Sequence, residues 1–302
     1  MKLFKRIKEP ITELISNIKT MAADLKEIKQ LLKHYGHAIE HNTHLSKEAN
    51  LLSLLDTPHI QSSKYTSEKS LLRHQSQVFS QNGEDGIIAE IFNRIGTTDK
   101  VFVEIGLEDG TECNSRLLLQ SGWTGLWIES DKECGETIQK KFSCELDNGQ
   151  LRLRQNLVTK ENIEPLLERE DIPPTFDFLS IDIDMNTHHV WSAIRSFKPR
   201  VACIEYNASV PPSLDYSVPY DENAKWDGSN HFGAGLKTLE KIGQELGYSL
   251  VACDFLGVNA FFVSNEACDE LGEKFLAPFS AEFHYEPPRY SLTNHRGHPS
   301  KL

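Results

Sequence analysis

The chain has no unbroken apolar run of membrane-spanning length, no C-x-x-C pair and no G-x-G-x-x-G turn. A helical span needs about 20 consecutive apolar residues, and the opening MKLFKRIKEPITELI breaks its apolar residues with Lys, Arg and Glu. Neither a secretion signal nor a membrane span is therefore expected, and the chain reads as cytoplasmic. Its six cysteines, Cys113, Cys134, Cys144, Cys203, Cys253 and Cys268, are scattered, several of them within apolar runs. They read as reduced thiols rather than as a disulfide framework. Basic residues are also scarce, with 32 Lys and Arg against 44 Asp and Glu and a net charge of −12. Residues 1–50 hold nine Lys/Arg against six Asp/Glu, so the remainder carries −15. A body this acidic excludes nucleic acid as the main partner, because phosphate binding needs a basic face. Uncharged or hydroxylated small molecules fit it better.

What is present begins with a heptad seam. Apolar residues recur at Ile7, Ile11, Leu14, Ile18, Met21, Leu25, Ile28, Leu32, Tyr35 and Ile39, in alternating steps of four and three. That spacing predicts a coiled-coil oligomerisation helix over residues 1–41 and hence a homo-oligomer. A helix packed on its own domain is the alternative. Lys2, Lys5, Arg6 and Lys8 around Leu3, Phe4 and Ile7 also suit peripheral contact with an anionic membrane. Residues 42–75, polar and without a sustained period, read as a linker with short helical pieces.

From residue 76 onward the pattern is that of an α/β domain: apolar runs alternate with amphipathic segments, as in a doubly wound, Rossmann-like sheet. Seven strands are expected, at 100–105, 124–129, 151–155, 176–181, 201–206, 249–254 and 259–263, with a helix over 85–95. Only Phe255-Leu256-Gly257-Val258 joins the last two strands. Such a link is too short for a helical crossover, so a mostly parallel sheet must end in an antiparallel hairpin.

The first strand runs into Glu104, Gly106 and Gly110 within VFVEIGLEDGTECN, and the second ends at Glu129 in GWTGLWIES. Ligands of open α/β sheets bind beyond the carboxyl ends of strands, where glycine lets the backbone come close and an acid can accept from ribose hydroxyls. These segments, with FSQNGEDGIIAEIF before them, resemble the FkbM-type methyltransferase family over roughly residues 78–264. The resemblance implies a class I methyltransferase domain over 76–302 that uses S-adenosylmethionine. It places Gln81, Glu104, Gly106, Asn114 and Glu129 around the cofactor, with Glu84 and Asp85 supporting the first loop. Leu107-Glu108 stands where relatives often carry small residues.

The fourth and fifth strands end in Asp182, Asp184 and Asn186, and in Glu205, Tyr206 and Asn207. Neighbouring strand ends would bring Asp182, Asp184, Glu205 and Asn207 together, and four such oxygens suit Mg²⁺ or Mn²⁺. A cation there would lower an acceptor hydroxyl's pKa, as in metal-dependent O-methyltransferases of the catechol type, which the arrangement resembles. Alternatively Asp182 serves the cofactor or a helix cap, Asp184 is solvated and Glu205 is structural. His188 or His189, with His231 as a rival, is expected as general base. The long segment 208–234, with Tyr216, Tyr220, Trp226 and Phe232, reads as a lid or as a structural cover. Together these readings point to O-methylation of a small-molecule or glycan hydroxyl. A non-catalytic ligand-binding scaffold is the competing class.

Overall fold

The computed structural model describes residues 62–289, together with Lys29. The expected coiled-coil helix and the linker up to residue 61 lie outside the described residues. Among the described residues no helix is long and apolar enough to cross a membrane.

Seven strands form one sheet: β1 (Val101–Ile105), β2 (Thr124–Glu129), β3 (Leu151–Gln155), β4 (Thr175–Ile181), β5 (Lys198–Glu205), β6 (Tyr248–Cys253) and β7 (Asn259–Ser264). Their order is β3-β2-β1-β4-β5-β7-β6, and β7 alone runs against the rest. Both faces are covered, so side chains alternate between two cores. Along β4 and β5, Leu179, Ile181, Ala202 and Ile204 enter one cluster and Phe178, Val201 and Cys203 the other. Each fully buried aliphatic or aromatic side chain contributes about 1.5–3 kcal/mol relative to exposure.

Helix α1 (Glu84–Ile95) follows from its sequence. Ile87, Ile88, Ile91 and Phe92 bury one face, Glu84 and Asp85 stand at its amino end, and Gly96 closes it with its N–H on the Phe92 carbonyl. The Asp85 carboxylate accepts the N–H groups of Val78, Phe79 and Ser80, shaping the preceding loop. At the hairpin, the Asp254 carboxylate accepts the N–H groups of Leu256, Gly257, Val258 and Asn259.

The strand and helix bounds fall within a residue of expectation except at the start of β5, three residues earlier. β5 begins at Lys198 rather than Val201 because Pro199, which lacks an N–H, lies where the strand pairs with β4 alone; β7 joins only from Val201. Residues 62–75 do contain short helical turns, but they also anchor to the domain. Leu71 is buried, and Tyr65 Oη donates to the buried Glu286 carboxylate at 3.0 Å.

Candidate active site

β1 ends at Ile105, and the chain turns at Gly106 with φ +73°. A Cβ there would lie 1.8 Å from the Asp182 carbonyl oxygen, so only glycine lets this turn sit against the end of β4. Glu129, at the end of β2, fixes the next two residues. Its Oε2 accepts the N–H groups of Leu107 and Glu108 at 3.1 and 3.0 Å, and its Oε1 accepts that of Asp131 at 2.8 Å. Glu108 is held at φ +51°, a conformation that costs a non-glycine residue about 1–2 kcal/mol. The carboxylate bonds offset that cost.

A cleft of about 740 Å³ opens over the carboxyl ends of β1 to β4. Gln81, Glu104, Gly106, Asn114, Glu129, Asp182 and Asp184 all line it. Their roles differ. Glu104 is buried and accepts the N–H groups of Asn114 and Ser115, each at 2.8 Å, so it starts helix α2 (Arg116–Gln120) rather than reaching into the space. Burial pushes its carboxyl pKa up. Asn114 Nδ2 donates to Ser180 Oγ at 3.0 Å and braces the floor.

The lining holds nine acidic residues, one lysine (Lys225) and no histidine or arginine. Several residues there were not singled out from sequence. Asn156 and Leu157 follow β3, and Leu157 is exposed. Asn259 begins β7, and Glu222 to Lys225 come from the long segment after β5, next to Trp226, which was expected there as part of a lid or cover. Asn156 and Asn259 stand beside strand ends, so the rule that ligands bind beyond strand carboxyl ends would have found Asn156.

The long segment forms a wall of the cleft and is tied down. Asn186 Nδ2 donates to the Asp221 carbonyl at 2.9 Å, Tyr220 Oη donates to Glu161 at 2.6 Å, and Lys160 Nζ stands 4.0 Å from the Tyr220 ring centre.

Of the residues expected to hold a cation, Asp182 and Asp184 line the cleft and Glu205 and Asn207 do not. Asp182 and Glu205 stand at the paired ends of β4 and β5, close enough for each carboxyl to perturb the other's ionisation. Burial first, then the charge of Asp184, raises Asp182; burial and the charges of Asp182 and Asp184 raise Glu205. Asn207 is turned into the long segment. Its Nδ2 donates to the carbonyls of Asn230 and Phe232 at 2.7 and 2.9 Å, and its Oδ1 accepts the Ser209 N–H. Among the described residues no group of three or more His, Cys, Asp or Glu could hold a metal ion. The Asn207 amide is engaged by backbone, and no step is routed through a cation.

The three histidines also miss the cleft. Helix α5 (Thr187–Ala193), preceded by α3 (Lys132–Lys141) and α4 (Ile163–Arg169), begins at Thr187 and carries His188 on its buried side with Val190 and Trp191. His188 is 3% exposed, neither ring nitrogen has a hydrogen-bond partner among the described residues, and burial lowers its pKa to about 3. His189 Nε2 is bonded to the Val218 carbonyl at 3.0 Å, and His231 Nδ1 to Tyr216 Oη at 2.8 Å. All six cysteines are free thiols.

No family model matches the chain, and no curated protein does. Solved structures do. A putative O-methyltransferase from Klebsiella pneumoniae shares 15% identity at a TM-score of 0.40, covering 64% of this chain and 88% of its own. Magnesium protoporphyrin IX methyltransferase from Synechocystis, solved with bound S-adenosylmethionine, shares 12% identity at a TM-score of 0.39, covering 60% and 77%. The O-methyltransferase TomG from Streptomyces achromogenes, also solved with S-adenosylmethionine, shares 15% at 0.39, covering 62% and 82%.

Proposed function

We propose that the chain is an S-adenosylmethionine-dependent methyltransferase of the FkbM type that methylates a hydroxyl oxygen on a sugar or similar polyol. The observation that carries this reading is the acidity of the cleft: nine acidic residues, of which burial raises the pKa of Glu104 and Asp182, against one lysine. A pyrophosphate-bearing cofactor would meet like charge on every side, whereas a sulfonium and an ammonium are attracted there. The glycine turn at Gly106 seats the loop against the end of β4 at the cleft floor, and Glu129 stands at the end of β2 as an acid for ribose hydroxyls. Exposed Leu157, beside Asn156, offers an apolar surface and an amide to an adenine ring.

Bound there, the cofactor supplies an electrophilic methyl group on positively charged sulfur. The chain's part is to hold the acceptor oxygen in line with that methyl and to exclude water, tasks for the wall from Glu222 to Trp226. With the histidines outside the cleft, carboxylates are the bases within reach of an acceptor's proton. The heptad repeat of residues 1–41 supports assembly as a homo-oligomer, which light scattering of the full chain against a chain lacking those residues tests.

Calorimetric titration separates the readings. S-adenosylhomocysteine and S-adenosylmethionine are expected to bind, and NAD⁺ and ATP are not. Absence of binding by either adenosyl compound at high protein concentration sinks the proposal. Binding without transfer to any hydroxylated acceptor favours the ligand-binding scaffold.

A further inference from the structure

The cofactor assigned to the cleft carries a sulfonium, an ammonium and one carboxylate, and the acidic lining attracts only the first two. The carboxylate meets like charge among nine acidic residues unless a cation receives it. Lys225 is the one cationic residue of the lining.

Other cations around the cleft are engaged. Lys141 Nζ lies 2.6 Å from the Asp109 carboxylate, Arg116 donates to the Thr111 carbonyl at 2.6 Å and lies over the Phe79 ring at 4.3 Å, and Lys160 stands over the Tyr220 ring. Lys225 differs. Glu222 and Asp227 are close to it in the chain, yet among the described residues its ammonium has neither an ion pair nor a hydrogen bond. The backbone on both sides is held. Before it, Asp221 Oδ1 accepts the Asn223 N–H at 2.9 Å, and the Asp221 carbonyl accepts the Ala224 N–H at 3.0 Å and Asn186 Nδ2 at 2.9 Å. After it, the Trp226 indole N–H donates to the Ser229 carbonyl at 2.6 Å. A braced segment thus presents an unpaired ammonium to a cleft of opposite charge, and an anionic group of the ligand completes that arrangement.

We propose that Lys225 receives the carboxylate of the cofactor's methionine moiety and sets a preference for the intact amino-acid end. This rests on the methyltransferase reading. Its consequence runs against the charge of the cleft as a whole. Removing the carboxylate from S-adenosylhomocysteine leaves a compound with net positive charge, which an acidic cleft on its own binds more tightly than the zwitterion. With Lys225 on the carboxylate, the zwitterion is the better ligand. Because Lys225 belongs to the segment that walls the cleft, the same contact ties that wall to the bound cofactor.

The test titrates the full chain by calorimetry with S-adenosylhomocysteine and with its decarboxylated counterpart, S-adenosyl-3-thiopropylamine. The parent chain is expected to bind S-adenosylhomocysteine about fivefold or more tighter than the amine. Lys225→Met should bring that ratio to one or below by weakening S-adenosylhomocysteine alone, and Lys225→Arg, which keeps the charge, should retain most of it. A parent ratio of one or below, or a ratio that survives Lys225→Met, overturns the role of Lys225 while the cofactor reading stands. Failure of the parent chain to bind either compound overturns both.

Discussion

Replacing Glu129 with glutamine removes one charge and one hydrogen-bond acceptor while keeping the side chain's shape, and this chain should not tolerate it quietly. The carboxylate takes three backbone N–H donors, two on Oε2 from Leu107 and Glu108 and one on Oε1 from Asp131. Glutamine has one oxygen to offer. Turned to keep that oxygen on Leu107 and Glu108, its NH₂ group faces the Asp131 N–H, a donor against a donor. Turned the other way, it leaves two amides unpaired, one of them on Glu108 in its left-handed conformation. One unpaired buried donor costs about 1–3 kcal/mol, and the surviving bonds lose their charge assistance. If that energy is lost in the bound state, where the loop must be ordered, affinity for S-adenosylhomocysteine falls about 10- to 100-fold. Titration calorimetry of Glu129→Gln and the parent chain measures this, with a melting curve as a check on folding. Affinity within threefold of the parent would refute both the loop-holding and the ribose role.

Three further outcomes follow from the same geometry. Gly106→Ala places a Cβ 1.8 Å from the Asp182 carbonyl; the ends of β1 and β4 must part, and cofactor binding should be lost with a stability loss of about 2–4 kcal/mol, read by urea titration. Asn207→Ala frees the carbonyls of Asn230 and Phe232 and should loosen the cleft wall, raising acceptor KM and proteolytic nicking within 208–234 while cofactor binding persists. His188 has a folded pKa of about 3, below its unfolded value, so its contribution is present above about pH 6.5 and is lost as pH falls below it. His188→Leu should therefore make the stability loss between about pH 7.5 and 5.5 shallower by about 1.4 kcal/mol and leave methyl transfer intact; an unchanged slope, or abolished turnover, would return His188 to the list of candidate bases.

Much of the fold was legible because strand and helix periods leave direct marks. The short Phe255–Val258 link fixed the reversed last strand, and the glycine and acids after β1 and β2 marked the cleft. What the sequence concealed was side-chain direction at strand ends. Asp182 and Glu205 stand at paired strand ends, yet of the two only Asp182 lines the cleft. Asn207, two residues beyond Glu205, has its direction set by Asn230 and Phe232, contacts made across more than 20 residues of chain. His188 depended on where α5 began, a boundary that periodicity places only to within a turn.

Asn186 and Asn207 show how the same residue type takes different roles at neighbouring strand ends. Asn207 is fully buried, with both ends of its amide engaged by backbone, so replacing it should disturb structure before chemistry. Asn186 is almost as buried, but only its NH₂ end is engaged, and the free oxygen belongs to a residue of the cleft lining. Its oxygen is sealed from the cleft, so the bond from its NH₂ end to the Asp221 carbonyl is what sets its role, tying the start of α5 to the long segment that walls the cleft.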